Sequence, residues 1–273
     1  MSNRIYTRTE KSQSISHPVN QDSRFFGTYM LMNDDRVTVL VVADGVSSGV
    51  SGETASRNAV TGFIESFHAG LAAEYAKASD YYSICVHMDR VKEIVMNAVI
   101  AANQKVCREV DAFTPTGTTL SAVVILNNSM ICVNVGDSPI YHYSAKTGEF
   151  RLISELQTEA EAKVSAGQCE RYDAEYYNSD HILTNALGNM NRSNSAIFDP
   201  DRIRCSVLER ISKGDRVLLG TDGCFGKMKE NQIWMYAGST NGDLGLQELF
   251  KIARRDKHDD QTAILFCFDE EVL

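Results

Sequence analysis

The chain has 273 residues, 43% of them apolar and 23% charged, a composition that specifies a folded globule. Its formal net charge of −9 excludes non-specific binding to nucleic acid or to an anionic membrane, both of which need a positive field. The seven cysteines are scattered and form no Cys-x-x-Cys pair, so neither a disulfide framework nor a zinc knuckle is expected. With no apolar run near ~20 residues and no signal-like start, the expectation is a cytoplasmic protein.

The first predicted element is a hairpin, strands 25–32 and 37–43 about the turn Asn33-Asp34-Asp35. Apolar residues then recur at helical spacing. Ala55, Ala59, Phe63 and Phe67 predict a helix over 52–69, and Val91, Val95, Ala98, Ala102, Val106 and Val110 predict a second over 88–110. Two more hairpins follow: 119–126 with 130–135 about Asn127-Asn128-Ser129, and 140–143 with 150–153 about residues 145–148. Residues 155–185 are polar with few strand-like runs, an excursion of a length that is usually functional or mobile. Strands over 216–219 and 263–268, with a short helix over 244–253 between them, complete the pattern. Hairpins imply antiparallel sheets, and one-faced helices must pack on a sheet face. The expected fold is therefore α+β, a four-layer α/β/β/α sandwich of two antiparallel sheets flanked by helices. A single domain over 1–273, acting as a monomer, is expected.

The acids gather where strands end. Asp44-Gly45 closes the run from Val37, Asp137 follows Gly136 after the run from Met130, and Asp222-Gly223 follows the run from Arg216. Asp259 and Asp260 precede the last strand, and Asp22 precedes the first. In antiparallel pairs the end of one strand lies beside the start of its neighbour, so Asp22, Asp44, Asp137, Asp222 and Asp259 are expected together at one edge of a sheet. A lone Asp-Gly after a strand is more often a turn residue than a ligand. Five acids at one edge repel and raise one another's pKa values, a penalty that divalent cations remove. Oxygen-only ligands select hard ions such as Mg²⁺ or Mn²⁺. Gly45 lets the backbone come close enough to offer its carbonyl as a ligand.

In order along the chain stand Asn20-Gln21-Asp22, Val41-Val42-Ala43-Asp44-Gly45, Gly52-Glu53-Thr54-Ala55-Ser56, Gly117-Thr118-Thr119, Asn134-Val135-Gly136-Asp137-Ser138, Ala186-Leu187-Gly188, Leu219-Gly220-Thr221-Asp222-Gly223 and Asp259-Asp260-Gln261-Thr262. This ordered set resembles the motifs of bacterial-type PP2C (PPM) phosphatases, over 20–268. The resemblance implies a protein serine/threonine phosphatase with a metal site in a cleft at one end of the sandwich. It implies two Mn²⁺ or Mg²⁺ ions, bridged by Asp44, with the Gly45 carbonyl on one and Asp222 and Asp259 on the other. Asp22 would act through a water, and a third ion would rest on Asp137 and Asp222. Thr118 or Thr119 would support the site, Ser138 would buttress the Asp137 turn, and 155–185 would be a flap that touches the phosphoprotein substrate.

Three positions depart from that family. His17 stands where an arginine often grips the substrate phosphate; imidazole lacks the guanidinium fork, and Arg4, Arg8 or Arg24 are the arginines offered instead. Val46 stands where eukaryotic members often carry a histidine. Gly226 replaces an aspartate that helps to hold a third metal. Two rival functions follow: a catalytically weak module that keeps the fold for binding or regulation, and a phosphatase of a small phosphorylated molecule. The chain has no phosphate-binding Gly-x-x-x-x-Gly-Lys loop, and its six histidines include no His-x-x-x-His pair, which disfavours the His-rich two-metal phosphatases. His258 beside Asp259 is read as a loop residue, the basic run at 254–257 as solvated surface, and Trp234 as packing.

Overall fold

A computed structural model describes residues 3–13, 18–31, 34–46, 51–77, 87–109, 115–189, 198–208, 210–255 and 258–269. Its strands in chain order are β1 (Arg4–Glu10), β2 (Asp22–Met30), β3 (Arg36–Asp44), β4 (Thr116–Thr118), β5 (Leu120–Leu126), β6 (Ser129–Val135), β7 (Ile140–Ser144), β8 (Glu149–Leu152), β9 (Leu187–Asn189), β10 (Arg204–Leu208), β11 (Arg216–Gly220) and β12 (Gln261–Cys267). The helices are α1 (Gly52–Tyr75), α2 (Met88–Glu109), α3 (Glu159–Ser165), α4 (Glu230–Ala237) and α5 (Gly242–Ala253). One sheet has the order β1-β12-β11-β7-β8, a second the order β10-β6-β5-β3-β2, and β4 pairs with β9 in a small third. All the strand pairs are antiparallel.

Strand periodicity builds the layers. Along β3, Val37, Val39, Val41 and Ala43 pack against α1 and α2, while Leu40 and Val42 face the other sheet. Along β12, Ala263, Leu265 and Cys267 pack under α4 and α5, while Ile264 and Phe266 face inward. Successive side chains of a strand buried on both faces enter different cores, which is why these strands read as unbroken apolar runs. Three apolar cores thus separate four layers, α/β/β/α, as expected.

The differences lie at the margins. β1 was not predicted: it is an edge strand carrying Arg4, Arg8 and Glu10 between its apolar residues, and such charges blunt an edge and hide its alternation. Asp22 consequently does not precede the first strand but begins the second. Ser129 belongs to β6 rather than to the turn; Asn127 takes a φ of 54° there, a left-handed conformation asparagine tolerates. Asn33 and Val110 lie outside the described residues. The polar excursion holds α3 and a 3₁₀ turn at Tyr176–Asn178, elements too short for periodicity to reveal. Trp234 packs as expected, its ring 4.0 Å from that of Tyr143 and 5.1 Å from that of Phe150.

One end of the first sheet is tied by a buried polar knot. Asp215 lies 3.1 Å from His142 Nε2 and accepts from the backbone N–H of Ala145 at 2.8 Å and of Ser212 at 3.1 Å. Burial pushes this carboxyl up, but His142 and the two N–H donors outweigh burial and hold it below its ordinary 3.8. Such a group stabilises the fold above its unfolded pKa and stops doing so as pH falls through the folded value. Asp215→Asn should therefore cost roughly 1–3 kcal/mol at neutral pH. In urea denaturation the gap to wild type should close as pH falls below 3.8; a gap that stays constant on acidification would refute this role.

Candidate active site

β2 and β3 pair with Asp22 directly opposite Asp44, so the register places two carboxylates side by side at one end of the second sheet. Asp137 follows β6 at the same end. In the facing sheet, β11 pairs with β12 through Gly220 and Ala263. That register brings Asp222, just after β11, beside the residues just before β12. The acids are therefore divided between two sheets at one end of the sandwich rather than lined along one sheet edge. Strand-end reasoning sees neighbours within a sheet, not how two sheets face each other.

The electrostatics show how close they are. Burial pushes the Asp44 carboxyl well above the ordinary carboxylate range, and the charges of Asp22, Asp222, Asp259 and Asp137 push it further. Burial likewise raises Asp22, against hydrogen bonds from Thr262 and Thr221, with Asp260 and Asp222 adding repulsion. Thr221 Oγ1 donates to Asp22 Oδ2 at 2.9 Å, whereas Asp22 Oδ1 is buried with no hydrogen-bond partner. A buried, unsatisfied carboxylate oxygen in a ring of like charge is costly, and a cation removes both penalties. The donor set is carboxylate and carbonyl oxygen, which fits hard divalent ions. Among the described residues, no three His, Cys, Asp or Glu side chains by themselves close into a metal-ligating group. The acids ring the space at Coulombic range rather than as a finished cage.

Backbone contacts hold the ring in place. Thr119 Oγ1 accepts from Asp44 N at 2.9 Å and lies 2.7 Å from Ser138 Oγ, while Thr118 Oγ1 donates to Asp44 O at 2.8 Å. Both threonines thus support Asp44, and Ser138 braces Thr119 from the Asp137 turn. The two Asp-Gly glycines are there for want of space. A Cβ on Gly45 would lie 2.3 Å from Gly52 O and 2.7 Å from Gln21 O, and one on Gly223 would lie 2.0 Å from Asp260 O. Sequence reasoning missed Asp260 as an anchor: its carboxylate accepts from Ser12 N at 2.6 Å and from Gln21 N at 2.7 Å. The Asp-Asp-Gln-Thr motif contained it, but nothing in the motif separates the ring member from the anchor.

The positively charged candidates sort themselves by place. His17 lies outside the described residues. Arg4 pairs with Asp269 at 2.6 Å and sits opposite Cys267, at the end of β12 far from Asp259. Arg8 pairs with Glu10 at 2.5 Å, which also takes Arg254. Arg24 stands two residues after Asp22, on the same face of β2 by strand periodicity. It makes no ion pair among the described residues, and burial lowers its pKa. His258 is exposed, with its backbone carbonyl accepting from Ser12 Oγ at 3.0 Å. Gly226 takes a φ of 54°, and Val46 donates its N–H to Gly117 O at 2.9 Å. Asp256 and Lys257 of the basic run lie outside the described residues.

A two-sheet sandwich with acids at one mouth and the 155–185 excursion beside them defines a metal-dependent phosphatase scaffold. The profile of the protein phosphatase 2C family matches residues 11–257, and the chain belongs to that family. It is a protein serine/threonine phosphatase. Protein phosphatase PhpP of Streptococcus pneumoniae (strain D39) is 25% identical over 233 residues, 83% of this chain and 78% of that protein. Among solved structures, the PPM Ser-Thr phosphatase MsPP from Mycobacterium smegmatis, in complex with cacodylate, superposes with a TM-score of 0.67 at 26% identity, covering 98% of each chain. The catalytic domain of the serine/threonine protein phosphatase PstP, in complex with two manganese ions, shares the fold with a TM-score of 0.67 at 20% identity, covering 98% of this chain and 99% of that one.

Gly45→Ala tests the packing that sets the ring. Its new Cβ would press on backbone atoms that cannot rotate away, so a loss of roughly 1–3 kcal/mol is expected, together with loss of activity. A variant with wild-type urea midpoint and wild-type turnover would show that the close approach at Gly45 is dispensable.

Proposed function

We propose that this phosphatase hydrolyses phosphoserine and phosphothreonine of proteins, as a single-domain cytoplasmic monomer, at the acid ring and with two Mn²⁺ or Mg²⁺ ions. Among the described residues no helix is long and apolar enough to cross a membrane. Asp44, the Gly45 carbonyl, Asp222 and Asp259 would hold the two ions, Asp22 would act through a water, and Asp137 with Asp222 would take a third. The observation that carries this reading is the convergence of four acids on the half-buried Asp44, with Asp22 Oδ1 left without a partner. Hard divalent cations supply Lewis acidity, acidifying water and offsetting the charge of a phosphoryl group.

The chain's own residues supply the rest. The Asp22–Asp44 pair fixes two carboxylates on adjacent strands, and Asp222 and Asp259 face them from the other sheet, so the cations that would offset the phosphate's charge would be held from both sheets. Thr119 and Thr118 keep the Asp44 backbone from drifting, and Thr221 orients Asp22. With Arg4 held by Asp269 far from the ring and Arg8 held by Glu10, Arg24 or His17 is left to meet the substrate phosphate. Retention of all five acids favours an active enzyme over a binding module.

Asp44→Asn and Asp222→Asn should each cut turnover of a phosphothreonine peptide more than about tenfold, a barrier increase above 1.4 kcal/mol. The fold should survive, since removing one charge relieves repulsion. Turnover should also require added Mn²⁺ or Mg²⁺ and vanish in EDTA. Full activity after exhaustive chelation, or in either variant, would sink the assignment.

A further inference from the structure

The flap and the body enclose a recess of about 90 Å³ beside the acid ring, with Asp137 and Asp222 at one end of it. Elsewhere its lining is mixed: apolar and aromatic walls from Tyr141, Leu152, Phe225 and Met228 of the body and Tyr172 and Tyr177 of the flap stand among the polar Thr158, Arg171 and Asp180. Tyr141, Phe225 and Met228 belong to the core beneath α4 and α5, so that wall is fixed. The flap wall is fixed as well. Arg171 holds Glu161 by two hydrogen bonds of 2.7 Å, and Tyr176 Oη donates to the same carboxylate at 2.7 Å. Lys227 Nζ stands 4.8 Å from the Tyr177 ring centroid, and Lys229 Nζ stands 5.6 Å from that of Tyr172. Tyr177 Oη also donates to Lys227 O at 3.3 Å. Tyr172 takes a φ of 72°, a conformation that strains a non-glycine residue and tends to occur at functional sites.

Resting on the phosphatase reading above, we infer that this recess is a specificity subsite that receives one apolar side chain flanking the phosphorylated residue of a protein substrate. Size argues for a side chain. Pockets that enclose whole small ligands run to ~300–1,000 Å³, and 90 Å³ suits a single aliphatic group. Charge selects which kind. An acidic side chain would lie beside Asp137, Asp180 and Asp222. A basic one would meet those carboxylates, but along the flap wall it would find both tyrosine faces already opposed by lysine ammoniums, which disfavours a further cation against them. Arg171, engaged by Glu161, offers no free charge to attract an acid.

The test is steady-state kinetics on phosphothreonine peptides that differ only at one flanking position, substituted in turn by Leu, Ala, Asp and Lys, with p-nitrophenyl phosphate alongside. At one position Leu should exceed Asp and Lys by about tenfold in kcat/KM, chiefly through KM. Tyr172→Ala should shrink that ratio to about twofold. Because a damaged flap would give the same loss, Leu152→Lys serves as the second variant. Its long stem can lie along the apolar wall with the ammonium at the rim, and preference should move to the Asp peptide, a gain that misfolding cannot mimic. No turnover of p-nitrophenyl phosphate by wild type overturns the phosphatase reading and the subsite together. Turnover with no positional preference, or with a preference for Lys, overturns the subsite alone.

Discussion

The repulsion among carboxylates gathered at one mouth of the sandwich is the constraint on which the rest of the structure depends. A fold that leaves Asp22 and Asp44 in register, with Asp222 and Asp259 opposite, holds a local state that is unfavourable until cations arrive. Three apolar cores on either side of the sheets supply the stability that lets this region stay frustrated. The threonine and serine hydroxyls around Asp44 act on its backbone rather than on its carboxylate. They fix position without quenching the charge that makes the site useful.

The same division of labour separates the two ends of the sandwich. At one end Asp215 is satisfied by His142 and two backbone donors; at the other, Asp22 keeps an oxygen with no partner. Burial acts on both acids, but Asp215 faces donors whereas Asp22 faces other carboxylates as well. Satisfied acids stabilise, whereas unsatisfied ones await a ligand.

Much of this was legible in the sequence because the central strands are apolar on both faces and end in acids. Val37 to Asp44 announces a buried strand and its site residue in one stretch. β1 was not legible, since Arg4, Arg8 and Glu10 mask its alternation, and neither was α3, a helix shorter than the window in which periodicity can be counted. The division of the acids between two sheets was also beyond reach, because register is local and the facing of sheets is not. Adjacent Asp259 and Asp260 show the limit most sharply. They are the same residue type one position apart, yet Asp259 adds its charge at Asp44 whereas Asp260 accepts from the backbone N–H groups of Ser12 and Gln21.

Asp260 grips the chain at two points, Ser12 and Gln21, and so closes a loop without a covalent bond. The entropy of closing a loop grows only slowly with its length. The segment between those two points can therefore lengthen, shorten or change composition at little thermodynamic penalty, so long as one carboxylate keeps both ends. That segment contains position 17, where this chain parts from the common arginine of its family. The anchor makes this stretch of chain an evolvable module, able to exchange its residues while the acids behind it stay fixed.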